Sequence, residues 1–311
     1  MVVLSLFDGI SCANYVLEKL GFDIEKYYSS EIDKHAIEVS IKNYPNQIRL
    51  GDAREWKGWN IDFSKIDLIM AGSPCQSFSI AGHRKGFEGE SGIIEVFFDI
   101  LRHTKSLNSN VKFFLENVKM KKEWEETINE ELGVKPLFLN SSDFSAQQRK
   151  RLYWFNWQPE YEIKGNSNKC VNDILEDGIS YKDKSYTITT TYQNLVWRDS
   201  LEKCRRNFVA KPLRVCDIGN GGQGQRVYSV KGKSVSLTAK GGGWGGRTGL
   251  YHIDLPDGDY VFRKLTPIEC ERLQGLPDNY TDCIKKTHRY KVLGNAWQCD
   301  TIETILKTLK P

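Results

Sequence analysis

Residues 2–10 are VVLSLFDGI, an apolar run that ends directly in an aspartate and a glycine. The apolar part is typical of a buried strand, and the glycine is typical of the turn that follows one. In open α/β sheets, ligands bind at the carboxyl ends of the strands. The turn at Asp8 and Gly9 is therefore a candidate ligand-binding loop.

The acidic character of this loop indicates what kind of ligand it binds. The negative charge of Asp8 is unfavourable beside a pyrophosphate and suits a ligand that carries an amine or another cation. This favours S-adenosylmethionine, and the missing G-x-G-x-x-G motif disfavours an NAD oxidoreductase. Glu31 and Asp52 follow the next two predicted strands, where they could accept hydrogen bonds from ribose hydroxyls and from the adenine amino group. Any one acid could be a solvated turn residue, but three at successive strand ends predict one cofactor site.

The alternation of elements predicts the fold around this loop. Short apolar runs at residues 2–7, 27–30, 48–50, 66–71, 111–115 and 152–155 predict strands. Helical spacing at residues 14–20, 33–43, 93–103, 267–274 and 296–309 predicts helices. Strands that alternate with helices are typical of βαβ units, so we expect an α/β fold with a parallel sheet between two helical layers.

Composition narrows the class of protein. The chain has 311 residues, 40% hydrophobic and 27% charged, which is typical of a globular protein of about two domains and excludes disordered or collagen-like chains. No apolar run approaches the roughly 18 residues of a membrane helix. The eight cysteines form no C-x-x-C pair. We therefore expect no metal site, no disulfide scaffold and a reducing, cytoplasmic compartment.

Positive charge is concentrated in one segment. Residues 203–253 contain ten lysines and arginines and one aspartate, a net charge of +9. The rest of the chain, with 34 basic and 39 acidic residues, has a net charge of −5. Eleven of the 26 glycines lie between residues 219 and 249. The segment is either a solvated loop region or a nucleic-acid surface whose backbone approaches phosphates or base edges.

Three further features carry reactive or charged groups. Cys75 lies in GSPCQSFS at residues 72–79, directly after an apolar run, where its thiol can be exposed and activated, although a lone cysteine is more often a core residue. Glu116 follows the apolar residues 113–115. Arg149 and Arg151 in QQRKR share a face if they lie on one strand, although such a run can also be a basic surface.

The order of these motifs resembles that of the C5-cytosine DNA methyltransferases, and the resemblance covers nearly the whole chain. The matching motifs are FDG at 7–9, SPCQ at 73–76, ENV at 116–118, QxRxR at 147–151, RKLTP at 263–267 and GNA at 294–296. The resemblance implies a Rossmann-like S-adenosylmethionine-dependent sheet with a second, smaller, irregular β-containing target recognition domain. The implied domains are residues 1–157, the recognition domain at 158–261, and a return to the catalytic domain at 262–311.

The resemblance also implies an activity, DNA (cytosine-5)-methyltransferase, of the small bacterial or phage restriction-modification type. Cys75 would bond to C6 of a flipped-out cytosine, and Glu116 would hydrogen-bond the N3/N4 edge. Arg151, supported by Arg149, would hold O2 of the base. S-adenosylmethionine would donate the methyl group and leave as S-adenosylhomocysteine.

The remaining site residues are assigned by the same resemblance. The implied cofactor-binding residues are Phe7, Asp8, Gly9, Ile10, Glu31, Ile32, Asp52, Ala53, Gly72, Pro74, Asn295 and Ala296. The implied DNA-binding residues are Gln76, Ser79, Arg84, Lys85, Gln223, Arg226, Lys240, Gly241 and Gly242. Gln223 would fill the space left by the flipped base, and Arg226 and Lys240 would read guanine edges.

Two other functions share most of these motifs. A tRNA cytosine-5 methyltransferase has the same catalytic motifs but a shorter, different insert, and a catalytically silent DNA-binding homologue would lack intact catalytic residues. The expected partner is double-stranded DNA, with no membrane involvement. A restriction endonuclease of the same system is a further candidate partner, and we expect a monomer.

Overall fold

The structure is a computed structural model that describes residues 1–72, 92–176, 214–217, 226–229, 250–254, 260–263 and 265–309. It divides into two compact units. The first contains Met1–Leu139, Lys150–Ile163 and Ile302–Pro311, and the second contains Asn140–Arg149 and Lys164–Thr301.

The first unit is built on a seven-stranded sheet. Its strands are β1 (Val2–Leu6), β2 (Lys26–Ser30), β3 (Ile48–Arg49), β4 (Leu68–Gly72), β5 (Lys112–Val118), β6 (Leu137–Asn140) and β7 (Lys150–Phe155). Their order across the sheet is β3-β2-β1-β4-β5-β7-β6. β1 to β5 pair in parallel, and β7 pairs antiparallel to β5. The predicted α/β class is confirmed; the sheet is parallel from β1 to β5, as predicted, and mixed as a whole because β7 is antiparallel.

Four of the described helices lie entirely within the first unit. They are α1 (Cys12–Lys19), α2 (Lys34–Asn43), α3 (Gly92–Leu107) and α4 (Lys122–Leu132). Helix α3 repeats apolar residues at three- and four-residue spacing, which gives it one apolar face for the sheet. One core cluster joins strand and helix residues: Leu4, Leu6, Ile69, Ala71, Phe97, Leu101, Phe113, Leu115, Ile128, Leu152 and Trp154.

The strand order places the candidate site. From β1 the chain proceeds outward through β2 to β3, then returns to place β4 on the other side of β1. The reversal opens a crevice outside the carboxyl ends of β1 and β4, which is where open α/β sheets bind ligands. The loop after β1, Glu31 after β2 and Gly72 at the end of β4 all lie at this edge.

The second unit contains a four-stranded sheet and short helices. Its strands are β8 (Arg214–Asp217), β9 (Arg226–Ser229), β10 (Leu250–Asp254) and β11 (Tyr260–Arg263). β9 and β10 are parallel, and the two outer pairs are antiparallel. Helix α5 (Pro267–Leu273) begins at a capping box between Thr266 and Glu269 and is followed by α6 (Lys286–Asn295).

A buried ion pair organises the segment after α5. Glu271 accepts hydrogen bonds at 2.8 Å from the backbone N–H groups of Asn279 and Thr281. Arg289 Nη2 lies 2.8 Å from the same carboxylate, and Glu271 is fully buried. A buried carboxylate with this many donors is stabilised in place, so the turn at residues 274–281 has a defined conformation.

Most predicted elements are present, and several of the described elements were not predicted. The sequence patterns did not predict α4, α6, β6 or the individual strands β8 to β11, and the last helix, α7 (Cys299–Leu306), begins three residues later than expected. Helix α6 mixes basic residues with few apolar ones and ends at Gly-Asn, so its pattern is weakly amphipathic. No helix in the described ranges has the length and apolar composition to cross a membrane.

Candidate cofactor and active site

The loop after β1 has an unusual backbone. Phe7, Gly9 and Ser11 all have positive φ angles, of 56°, 60° and 63°. A Cβ on Gly9 would meet no described atom within 4 Å, so glycine is required there by its conformation rather than by space. Left-handed conformations cost energy for Phe7 and Ser11, and they persist where surrounding contacts hold them.

The side chain of Asp8 is the centre of those contacts. Tyr27 donates its hydroxyl to Asp8 Oδ1 at 2.7 Å, and Ser11 donates its hydroxyl to Asp8 Oδ2 at 2.6 Å. The N–H of Asp8 donates to Ser30 O at 3.0 Å, which extends the β1–β2 ladder by one bond. Burial raises the pKa of Asp8 to about 6, against the effect of the two hydroxyls.

Glu31 is fixed by three backbone donors. Its Oε2 accepts from the N–H of Gly9 at 2.8 Å, and its Oε1 accepts from Ile32 and Asp33, also at 2.8 Å. Oε1 already accepts two hydrogen bonds, whereas Oε2 accepts one and can accept a second, so Glu31 retains capacity for a ligand hydroxyl. The neighbouring Ile32 is 62% exposed and offers an apolar surface beside it.

Asp52 is held by a neighbouring arginine. The guanidinium of Arg54 donates from Nε to both carboxylate oxygens, at 3.0 and 2.9 Å. These hydrogen bonds hold the pKa of Asp52 below its ordinary value. Asp52 also caps the short 3-10 helix Ala53–Gly58, whose first residue, Ala53, is buried.

Glu116 and Arg151 form an ion pair at the end of β5. Arg151 Nε lies 2.8 Å from Glu116 Oε1, and both side chains are largely buried, at 15% and 9% exposure. In the β5–β7 register, Arg151 pairs with Val118, two residues from Glu116. The pair therefore lies diagonally on one face of the sheet. Gly72 is in register with Glu116, which places the end of β4 beside this pair.

Four of the predicted site residues that the structure describes lie in the second unit. Arg149 is buried, and its backbone N–H donates to Asn140 Oδ1 at 3.0 Å. Asn295 is exposed at the end of α6, and Ala296 is buried, with its N–H bonded to Val292 O. Arg226 is the first residue of β9.

The other predicted residues lie outside the described ranges. They are Pro74, Cys75, Gln76, Ser79, Arg84, Lys85, Gln223, Lys240, Gly241 and Gly242. Their assignments stay predictions from the sequence.

The sequence reasoning missed the polar residues behind the loop. Ser11 lies within hydrogen-bond distance of Ser40 and Gln47, and Ser40 donates to Gln47 at 2.8 Å. Ser40 and Gln47 therefore contact Ser11, which in turn donates to Asp8. Ser11 precedes α1, Ser40 lies in α2 and Gln47 follows it, so no local sequence pattern indicated that these residues are partners.

The side chains at this edge fit S-adenosylmethionine. The remaining acceptor position on Glu31 Oε2 suits a ribose hydroxyl, and the exposed Ile32 suits a flat purine ring. The carboxylates at Glu31 and Asp52 suit hydroxyl and amino donors better than a phosphate.

Comparison with known proteins identifies relatives over the whole chain. A family model described as C-5 cytosine-specific DNA methylase matches residues 1–311. The type II methyltransferase M.HhaI of Haemophilus parahaemolyticus is 31% identical over 323 residues, which cover 97% of this chain and 92% of that protein. The orphan methyltransferase M.Rho11sI of Bacillus phage rho11s is 30% identical over 334 residues, covering 85% of this chain and 65% of that one.

A solved structure has the same fold. The Entamoeba histolytica methyltransferase EhMeth superposes with a TM-score of 0.69 at 16% identity, covering 100% of this chain and 99% of that chain. At this identity the likeness concerns the fold alone.

Proposed function

The chain belongs to the C-5 cytosine-specific DNA methylase family, and we propose that it methylates C5 of a cytosine flipped out of a short duplex DNA site, through a covalent bond from Cys75. The methyl group is supplied, as an electrophile, by bound S-adenosylmethionine. The observation that carries this proposal is the ion pair of Glu116 and Arg151 beside the end of β4, three residues before Cys75 in the sequence.

Cys75 is the proposed nucleophile that activates C5 of cytosine for methylation. C5 of cytosine is a poor nucleophile. Addition of a thiolate at C6 pushes electrons toward C5 and makes it enamine-like. After C5 is methylated, its proton is lost to solvent, the C5–H electron pair re-forms the C5–C6 double bond, and the Cys75 thiolate leaves C6. Cys75 is thereby restored.

Glu116 and Arg151 act on the two sides of the base. The Glu116 carboxyl hydrogen-bonds the N3/N4 edge and stabilises the charge that develops on the ring as the thiolate adds. Arg151 holds O2, and Arg149 supports it. Because Glu116 already fixes the Arg151 guanidinium at 2.8 Å, neither side chain has to be ordered when the base arrives.

The cofactor is held at the edge of β1 to β3. Glu31 accepts from the ribose hydroxyls, Ile32 covers one face of the adenine, and Asp52 accepts from its amino group. The loop at residues 7–10 supplies backbone groups to the methionine end. The sequence resemblance adds Ala53, Gly72, Pro74, Asn295 and Ala296 to the proposed cofactor-binding residues.

The substrate is bound through two segments predicted from sequence. Gln76, Ser79, Arg84 and Lys85 contact the DNA beside the target base. Gln223, Arg226, Lys240, Gly241 and Gly242 belong to the recognition domain, within the segment of net charge +9. Because C5 is inaccessible inside a duplex, the base must leave the stack, and Gln223 fills the space.

The cellular setting is bacterial or phage-infected cytoplasm. The relatives described above include a type II enzyme and a phage orphan enzyme. In either kind of cell the proposed enzyme is a monomer. It acts alone or beside a cognate restriction endonuclease of the same system.

Trapping of a covalent complex tests the function. We expect duplex DNA containing 5-fluorocytosine at the target site to remain attached to the protein after denaturation, since fluorine at C5 blocks the proton loss that releases Cys75. Cys75→Ala should bind the same duplex without being trapped. Trapping by tRNA but not DNA would identify the RNA alternative, and no trapping by either would refute the covalent mechanism.

A further inference from the structure

The carboxylate of Asp8 is held on a loop that it helps to shape. Its two oxygens accept from Tyr27 and Ser11 at 2.7 and 2.6 Å. Tyr27 and Ser11 are almost completely buried, so these hydroxyls are fixed donors rather than mobile surface groups. Asp8 and Ser11 thereby close the loop across Gly9, and Tyr27 attaches it to β2.

A second set of contacts connects this loop to Glu31. Gly9 is the residue directly after Asp8, and its N–H donates to Glu31 Oε2 at 2.8 Å. This N–H lies in the peptide plane between Asp8 and Gly9, within a loop whose φ angles are 56° at Phe7 and 60° at Gly9. The contacts of Asp8 therefore control the direction of one of the donors that orient Glu31.

A role confined to stability explains this arrangement poorly. Burying a carboxylate costs free energy, and hydroxyl donors offset that cost only in part. Leu6 and Ile10 on either side of the loop are fully buried and apolar, whereas Asp8 is a half-buried carboxylate between them. The two hydroxyl donors bind the Asp8 carboxylate in fixed directions and so fix the conformation of the loop. The Gly9 N–H of this loop in turn orients the Glu31 carboxylate.

We propose that Asp8 and Tyr27 are positioning residues for the cofactor: Tyr27 and Ser11 hold Asp8, Asp8 holds the left-handed loop, and the Gly9 N–H of that loop orients Glu31 for the ribose. The inference rests on the proposed function of this site. Neither Asp8 nor Tyr27 touches the reacting atoms, so their effect is on cofactor affinity rather than on the chemical step.

The test compares Tyr27→Phe with Tyr28→Phe by titrating the full-length protein with S-adenosylmethionine in a calorimeter. Tyr28 is adjacent on the same strand, is equally buried and faces the core cluster, so the same substitution there controls for the loss of a hydroxyl from β2. We expect the dissociation constant to rise about tenfold for Tyr27→Phe and less than about twofold for Tyr28→Phe. The kcat at saturating cofactor should be unchanged.

The pH profile of affinity is a readout that a structural role would not move. Wild-type affinity should weaken as pH falls below about 6, where Asp8 takes up its proton. Other ionisable groups facing this network are Glu31, Tyr44 and Arg49, and Arg49 Nη2 donates to Ser40 Oγ at 3.1 Å. Tyr27→Phe removes a donor to the ionised carboxylate, so its acidic limb should lie at higher pH than that of the wild type.

A double-mutant cycle tests the route through Glu31. Tyr27→Phe should weaken binding by less than about twofold when Glu31→Gln is already present, because Glu31 no longer contributes its full share. A tenfold effect that persists in Glu31→Gln would overturn the proposed route. Equal affinities for Tyr27→Phe and wild type would overturn the inference itself.

Folding and the proposed function are monitored separately. If Tyr27→Phe does not fold, Ser11→Ala removes the other donor to Asp8 and must show the same loss of affinity and the same shift of the acidic limb. A wild-type protein that does not bind S-adenosylmethionine would refute the proposed function. Binding by the wild type with unchanged variants refutes only the positioning role.

Discussion

Arg151 Nε lies 2.8 Å from Glu116 Oε1, although the two residues belong to antiparallel strands and are not directly paired. Arg151 pairs with Val118, so the contact is a diagonal one on a single face. The geometry joins the residue proposed to hold the N3/N4 edge of cytosine to the residue proposed to hold O2. Each side chain is oriented before the substrate arrives.

Loss of Arg151 should destabilise the protein. In Arg151→Leu the carboxylate of Glu116 stays in a buried position without its partner, which typically costs about 3 kcal/mol of unfolding free energy. Urea unfolding followed by circular dichroism measures this. Arg102→Leu is the control, because Arg102 pairs with Asp99 and Glu131 at 57% exposure. Arg102→Leu should lower the unfolding free energy by less than about 1 kcal/mol. If both variants lower it equally, burial does not strengthen the effect of losing Arg151.

Removal of the Glu116 charge should affect the chemical step. We expect Glu116→Gln to lower the rate of methyl transfer by about 10²- to 10⁴-fold, the usual contribution of a group that handles a proton in the transition state. Duplex affinity should change little. Transfer of labelled methyl groups in single-turnover conditions measures the rate, and Glu130→Gln on the exposed surface of α4 is the matched control. A near-normal rate for Glu116→Gln would remove Glu116 from the reaction.

Glu31 should contribute to cofactor binding. Glu31→Ala removes an acceptor for the ribose hydroxyls, so the binding free energy of S-adenosylmethionine should weaken by about 1–3 kcal/mol. Calorimetric titration gives the affinity. Glu38→Ala removes a carboxylate from α2 that is 54% exposed, and it should have no effect. If the two variants bind equally well, Glu31 does not contact the cofactor.

The raised pKa of Asp8 predicts a pH-dependent stability. Burial raises this pKa from 3.8 to about 6, so between these values the folded protein holds a proton that the unfolded chain has lost. The contribution of Asp8 to stability is therefore fully present below about pH 4 and is lost as pH rises through about 6. Relative to Asp8→Asn, the wild type should lose on the order of 2 kcal/mol of unfolding free energy over this range. The midpoints of urea unfolding, measured for both proteins across this pH range, test the prediction. If the two midpoints change with pH in parallel, Asp8 does not cause the loss of stability.

Exchange of residues 219–228 and 237–247 for the corresponding segments of another family member should change the methylated sequence. These basic, glycine-rich segments are predicted to approach base edges and phosphates. Bisulfite sequencing of DNA from expressing cells identifies the methylated cytosines. An exchange of the exposed positions of α4 serves as control. An unchanged methylation pattern after the first exchange would place specificity elsewhere in the chain.

Much of the fold and part of the site were predictable because their signals are local in the chain. Apolar runs ending in Asp8, Glu31 and Glu116 indicated strands and placed these acids at strand ends. Helix α4 was missed because its eleven residues are dominated by acids and lysine, which mask a narrow apolar face at Ile128 and Leu132. Contacts between strands have no comparable local signal.

The sequence by itself determined the family, the parallel sheet and the identity of the reactive groups, because the order of motifs along the chain and the periodicity of apolar residues need no knowledge of long-range contacts. Only the tertiary structure decided that Tyr27 and Ser11 hold Asp8, that the Gly9 N–H holds Glu31, and that Arg151 meets Glu116. These contacts arise when βαβ crossovers and strand register bring distant segments together, and hydrogen bonds at 2.6–2.8 Å depend on that register to within a single residue.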